Sequence, residues 1–130
     1  MAAFYVGTGL RKRPKEGALQ IETVFDEGLA IVSVAGKIDA ITSTAFEKAL
    51  GELIDGGHGR MILDLGDVDY VSSAGLRVLL MAAKRVHGRG ALVLTRLQPG
   101  VREIVTLTGF DNVLPIEAEP EAARAKLRGE

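Results

Sequence analysis

Leu63-Asp64-Leu65-Gly66-Asp67-Val68-Asp69-Tyr70-Val71-Ser72-Ser73-Ala74-Gly75-Leu76 is the stretch on which the fold turns. It leaves a short, nearly continuous apolar strand, Met61 to Leu65, crosses a polar loop, and reaches two serines in front of an apolar stripe at Leu76, Leu79, Leu80 and Ala83. A strand apolar on both faces belongs inside a covered, parallel sheet. The stripe has helical spacing and predicts an amphipathic helix that ends at His87-Gly88.

Outward on the N-terminal side, Phe46, Ala49, Leu50, Leu53 and Ile54 mark another helix, with Thr44 and Glu47 at capping-box spacing and Gly56-Gly57 as its stop. Before it, Leu19 to Phe25 and Leu29 to Val34 read as two strands joined by the turn chemistry of Asp26-Glu27-Gly28. On the C-terminal side, Ala91 to Thr95 reads as a strand and Val101 to Leu107 as a helical stripe. Val113 to Ile116 then reads as an edge strand and Glu121 to Leu127 as a terminal helix. Strands alternating with helices predict an α/β domain: one mixed, mostly parallel sheet with an N-terminal hairpin and about four helices.

At 130 residues and 47% hydrophobic content, the chain has material for one core. Residues 1–17 contain three glycines, a proline and clustered charges without periodicity, so they are expected to form a flexible basic extension ahead of a domain at 18–130. Arg11, Lys12, Arg13 and Lys15 against Glu16 leave that extension at +3, and the net charge of -1 leaves the remainder at -4. A few cations of this kind usually form a solvated tail, so direct nucleic-acid binding is not expected. The absence of cysteine excludes disulfides, a thiolate nucleophile and cysteine metal sites, and fits the cytoplasm. No apolar run nears the roughly 20 residues of a bilayer span, so no membrane role is expected.

In an open α/β sheet, ligands and partners are met at the loops beyond the carboxyl ends of the strands. Ser72 and Ser73 sit at such a loop. A serine at a helix start can cap an orphan amide, and the helix dipole there also favours a phosphate. On residue chemistry alone Ser73 is a cap or a phosphate acceptor. Asp67 and Asp69, with Asp39 close in space, would make an added phosphate a source of repulsion.

Enzyme readings fail on their required parts. A receiver domain needs an acidic pair at the end of its first strand and a later lysine, and Ala91 to Thr95 carries none. There is no G-x-x-x-x-G-K-[ST] loop and no G-x-G-x-x-G after a strand. His58 and His87 lie far apart and outside any zinc spacing, and Val71-Ser72-Ser73-Ala74-Gly75 lacks the first glycine of a nucleophile elbow. No catalysis, cofactor or metal is expected.

Tyr70-Val71-Ser72-Ser73-Ala74-Gly75-Leu76-Arg77-Val78-Leu79-Leu80 resembles the signature loop and helix of STAS domains, the family of bacterial anti-sigma-factor antagonists. Gly36-Lys37-Ile38-Asp39 resembles the Gly-x-Leu/Ile-Asp turn of that family, and the resemblance runs from about 18 to 117. It implies that Ser73 is phosphorylated by an anti-sigma factor that is itself a serine kinase. The unphosphorylated form would capture that kinase and free a sigma factor, and a PP2C-type phosphatase would restore binding. It also implies a partner-binding surface of Asp39, Ser72, Ala74, Gly75, Leu76 and Arg77. Two positions depart from many members: Ser72 stands where aspartate is common, and Ala74 where a second Ser or Thr is common. The competing expectation is a constitutive STAS interaction module in a larger signalling assembly, with Ser73 only a cap.

Overall fold

Glu27 and Gly28 take left-handed backbone conformations (φ 52° and 80°), the geometry of a tight hairpin turn. Strand β1 (Gln20–Asp26) thereby folds back antiparallel on β2 (Leu29–Ile38). The computed structural model describes residues 18–129, so the expected basic extension lies outside the described residues. After β2 come α1 (Ser43–Asp55), β3 (Arg60–Val71), α2 (Ser73–Val86), β4 (Ala91–Thr95) and α3 (Pro99–Leu107). A 3-10 turn (Phe110–Asn112), β5 (Ile116–Glu117) and α4 (Pro120–Leu127) complete the domain. The strands lie in sequence order, β1-β2-β3-β4-β5, with every pairing after the hairpin parallel. This is the mixed α/β architecture that the alternation predicts.

Side-chain alternation divides the core between the two faces of the sheet. Ala30, Val32, Val34, Met61, Leu63, Leu65, Leu92 and Leu94 point to one face, under Phe46 and Leu50 of α1, Leu79 and Val86 of α2, and Val101 and Val105 of α3. Leu29, Ile62 and Val93 point to the other, where Ala123 of α4 closes a smaller cluster flanked by Ile31 and Leu127. Arg124 holds α4 against the hairpin turn through Asp26 at 2.8 Å, and the Arg60 guanidinium donates to the Leu127 carbonyl. Among the described residues no helix is long and apolar enough to cross a membrane.

Three local expectations are corrected. Strand β3 does not stop at Leu65 but runs to Val71, because Leu65, Val68 and Val71 stay buried while Asp67 and Asp69 face out. Two register shifts against β2, between Ser33 and Ala35 and between Gly36 and Lys37, absorb the irregular spacing. The last strand is Ile116–Glu117 rather than Val113 to Ile116. The 3-10 turn precedes it, and Pro115, which has no amide to donate, meets β4 by accepting from Leu94 N at 2.8 Å. Thr44 and Glu47 form no capping box, since α1 starts at Ser43 and both residues lie within it.

Candidate functional site

The carboxyl ends of β2 and β3 are adjacent in register, Ile38 beside Val71, and each runs directly into a helix-initiating turn. The Ser72 amide donates to the Ile38 carbonyl at 2.8 Å and locks the two turns together. Ser72 itself is extended (ψ 173°) and is the N-cap of α2: its hydroxyl accepts from the Gly75 amide at 3.2 Å, while its carbonyl accepts from Leu76 N at 2.9 Å. The capping role that residue chemistry allowed for Ser73 therefore falls to Ser72. Ser73 is the first helical residue, exposed, and its hydroxyl has no hydrogen-bond partner among the described residues.

Gly75 explains how the helix comes so close to the sheet. A Cβ on it would lie 2.7 Å from Ile38 Cγ2 and 2.9 Å from Val71 Cγ1. Both Gly75 and Leu76 are buried, with Leu76 only 7% exposed, so they position the serine and offer a partner little surface of their own. Ala74 is half-buried. Arg77 is exposed one turn along α2 from Ser73.

Asp39 organises the neighbouring turn. Its Oδ1 accepts from Ile41 N at 2.9 Å and Thr42 N at 2.8 Å, and the Thr42 hydroxyl closes the loop by accepting from Asp39 N and donating to the Lys37 carbonyl. The Thr42 amide above all, with the Ile41 amide and Thr42 hydroxyl, holds the Asp39 carboxyl below its ordinary pKa against a smaller opposing effect of burial. Asp69 pairs with Lys37 at 3.2 Å, and Asp67 adds to the field that, with the Asp64 hydrogen bond foremost, holds Arg96 protonated. Of the acidic residues expected to crowd a phosphate, Asp69 thus faces a lysine and Asp67 acts on an arginine, while Asp39 is held by neutral amides and a hydroxyl. Sequence reasoning missed Lys37, Thr42 and Ile41 as parts of this surface. The Asp39-x-x-Thr42 spacing was the available signal for the turn, and it presents Ile41 84% exposed.

The histidines stand apart: His58 packs its ring against Phe25 with centroids 4.5 Å apart, and His87 is the C-cap of α2. Among the described residues no cluster of His, Asp or Glu could hold a metal ion.

The α/β domain thus carries an exposed serine hydroxyl at a helix start, beside the braced Asp39 turn. A family profile described as the STAS domain matches residues 20–123. BtrV of Bordetella bronchiseptica, named as an anti-sigma factor antagonist, is 39% identical over 103 residues, covering 78% of this chain and 89% of that protein. An anti-sigma factor antagonist from Mycobacterium paratuberculosis superposes with a TM-score of 0.82 at 24% identity, covering 90% of this chain and 99% of that one. The Bacillus cell fate determinant SpoIIAA in its phosphorylated form superposes with a TM-score of 0.62 at 17% identity, covering 80% and 95%. The chain belongs to the STAS-domain family of anti-sigma-factor antagonists.

Proposed function

We propose that this chain is a phospho-switched antagonist: unmodified, it binds an anti-sigma factor that is a serine kinase and so releases a sigma factor, and phosphate on Ser73 ends that binding. A PP2C-type phosphatase resets it, and the domain performs no catalysis of its own. One observation carries the reading. Of two adjacent serines, Ser72 is committed to the helix cap while Ser73 is exposed with a hydroxyl that has no hydrogen-bond partner among the described residues. A phosphate there gains from the helix N-terminus and leaves the cap untouched, so modification changes the surface and spares the fold. Relatives named as antagonists and the phosphorylated SpoIIAA structure support the same reading.

The surface has the parts of a small interface. Ser73 is its neutral centre, Arg77 and the Lys37/Asp69 pair are polar neighbours, and Ile41 is an exposed apolar anchor. Two negative charges at the centre must be desolvated when a partner closes over them, which weakens binding without a conformational change. The test is titration calorimetry of the wild type, Ser73→Ala and Ser73→Asp against the anti-sigma kinase recovered by pull-down. Ser73→Ala should bind like the wild type, and Ser73→Asp should lose at least about tenfold, roughly 1.4 kcal/mol. Equal affinities for all three would reject the switch, as would mass spectrometry placing the phosphate on Ser72 or a threonine alone.

A further inference from the structure

We propose that Ile41 is a specificity-determining anchor, seated in an apolar pocket of the anti-sigma factor, and that Asp39 serves binding by holding the turn that presents Ile41 rather than by touching the partner. The inference rests on the reading that this chain binds an anti-sigma factor through its Ser73 end, and it assigns the side chain that carries the apolar contact there.

Rigidity separates Ile41 from an ordinary exposed hydrophobic. Single apolar side chains on a surface are common and carry no meaning by themselves. Ile41 is the most exposed large hydrophobic among the described residues, yet the backbone on both sides of it is pinned. Its own amide and that of Thr42 donate to Asp39 Oδ1 at 2.9 and 2.8 Å. The Thr42 hydroxyl accepts from Asp39 N at 2.9 Å and donates to the Lys37 carbonyl at 2.7 Å. Ser43 adds two more bonds, its amide to the Asp39 carbonyl at 2.9 Å and its hydroxyl to the Ala40 carbonyl at 3.0 Å. Thr42 and Ser43 are buried, so the foot of the turn is sunk in the domain while its tip stands clear. A β-branched side chain is also stiff at χ1. Such a side chain has little freedom left to lose when a partner closes over it, and preorganisation of this kind strengthens a contact.

Position ties the tip to the switch. The Ser72 amide donates to the Ile38 carbonyl at 2.8 Å, so Ile41 and Ser73 stand three residues and one residue from a shared hydrogen bond. Tyr70, paired in register with Lys37, is a second exposed large hydrophobic at this end of the sheet. A partner that covers Ser73 therefore meets apolar surface beside the polar Lys37/Asp69 pair, the mixture an interface uses. Asp39 acts one step back. Its Oδ1 takes both amides and, at 3.2 Å, the Thr42 hydroxyl, all from within the turn. Removing the carboxylate frees those donors and loosens the tip, so binding falls without any lost contact to the partner.

The experiment is titration calorimetry of the full chain against the purified anti-sigma kinase, after melts have shown each variant folded. Ile41→Ala should lose at least about tenfold in affinity, and Ile41→Val, which keeps the branch, should stay within about threefold of the wild type. Asp39→Ala should also weaken binding. Asp39→Asn should restore it, because an amide oxygen accepts the same two backbone bonds without the charge. The double variant Ile41→Ala/Asp39→Ala should bind no more than about twofold worse than Ile41→Ala alone, since with the anchor gone there is nothing left to position. Wild-type affinity in Ile41→Ala overturns the anchor. Additive losses in the double variant, or Asp39→Asn as weak as Asp39→Ala, overturn the positioning role and make the carboxylate a direct contact. A Ser73→Asp protein that binds like the wild type would remove the phospho-switch and leave the Ile41 losses standing, so the two readings fail separately.

Discussion

Replacing Ser72 by alanine removes the oxygen that accepts from the Gly75 amide, and the loss of one such cap costs about 0.5–2 kcal/mol. Replacing Ser73 by alanine removes a hydroxyl without a hydrogen-bond partner among the described residues, so its effect should stay within about 0.5 kcal/mol. Urea denaturation of the two variants side by side checks this, and the reverse order would return the cap to Ser73. At Asp39 the prediction concerns pH. The folded carboxyl has a lowered pKa, so the contribution of its turn is complete above the unfolded value and is lost as pH falls through the lower folded value. NMR titration of the Ile41 and Thr42 amides should therefore show a midpoint more acidic than that of an unstructured aspartate, and Asp39→Asn should abolish the transition. Both roles were only half legible in the sequence. Two adjacent serines offer the same chemistry, and only the backbone at ψ 173° on Ser72 decides which one caps. Likewise the Thr44/Glu47 spacing was real, but the Asp39 carboxylate takes the Ile41 and Thr42 amides and α1 begins two residues earlier than that spacing implies, with Thr42 at its N-cap.

Among the elements, α2 is set by two glycines at its ends. Gly75 faces the buried, β-branched side chains of Ile38 and Val71, so Gly75→Ala should cost about 1–3 kcal/mol by overpacking and displace Ser73 from the β2 turn. Gly90, just after the helix, is stricter. A Cβ there would lie 2.2 Å from the Gly59 carbonyl oxygen, which is main chain, so Gly90→Ala should be the more damaging of the two. Denaturant midpoints rank them, and a Gly90→Ala protein as stable as the wild type would contradict the close approach of the β3 and β4 entries. The helices, the hairpin and the short β4 were legible because each shows a strong period and clear stops. The outer half of β3 was not: Gly66, Asp67 and Asp69 have loop chemistry, and only pairing with β2 across two register shifts makes them strand.

For the whole molecule, β1 begins at Gln20 and pairs along its length with β2, so no strand pairing among the described residues involves a residue before Gln20. A chain starting at Gly17 should melt within about 4–8 °C of the full protein, the shift that roughly 1 kcal/mol produces in a small domain. A larger drop in calorimetry would make the basic stretch part of the packed structure. The architecture as a whole was open to sequence reasoning because alternating periods of two and 3.6 fix the order of elements, and right-handed crossovers fix the rest. What the period could not reveal was the division of labour between the faces of the sheet, which depends on where α4 returns.

That return has a consequence for synthesis. Leu29, Ile62 and Val93 wait for Ala123 and Leu127, which lie beyond every strand in the chain. During translation, at about 5–20 residues per second, the opposite face can be covered helix by helix as α1, α2 and α3 emerge, while this one stays bare. A chain ending before Pro120 would carry the Ser73 helix start on a sheet whose other face still exposes Leu29, Ile62 and Val93, the kind of bare apolar surface that makes incomplete folds prone to aggregate.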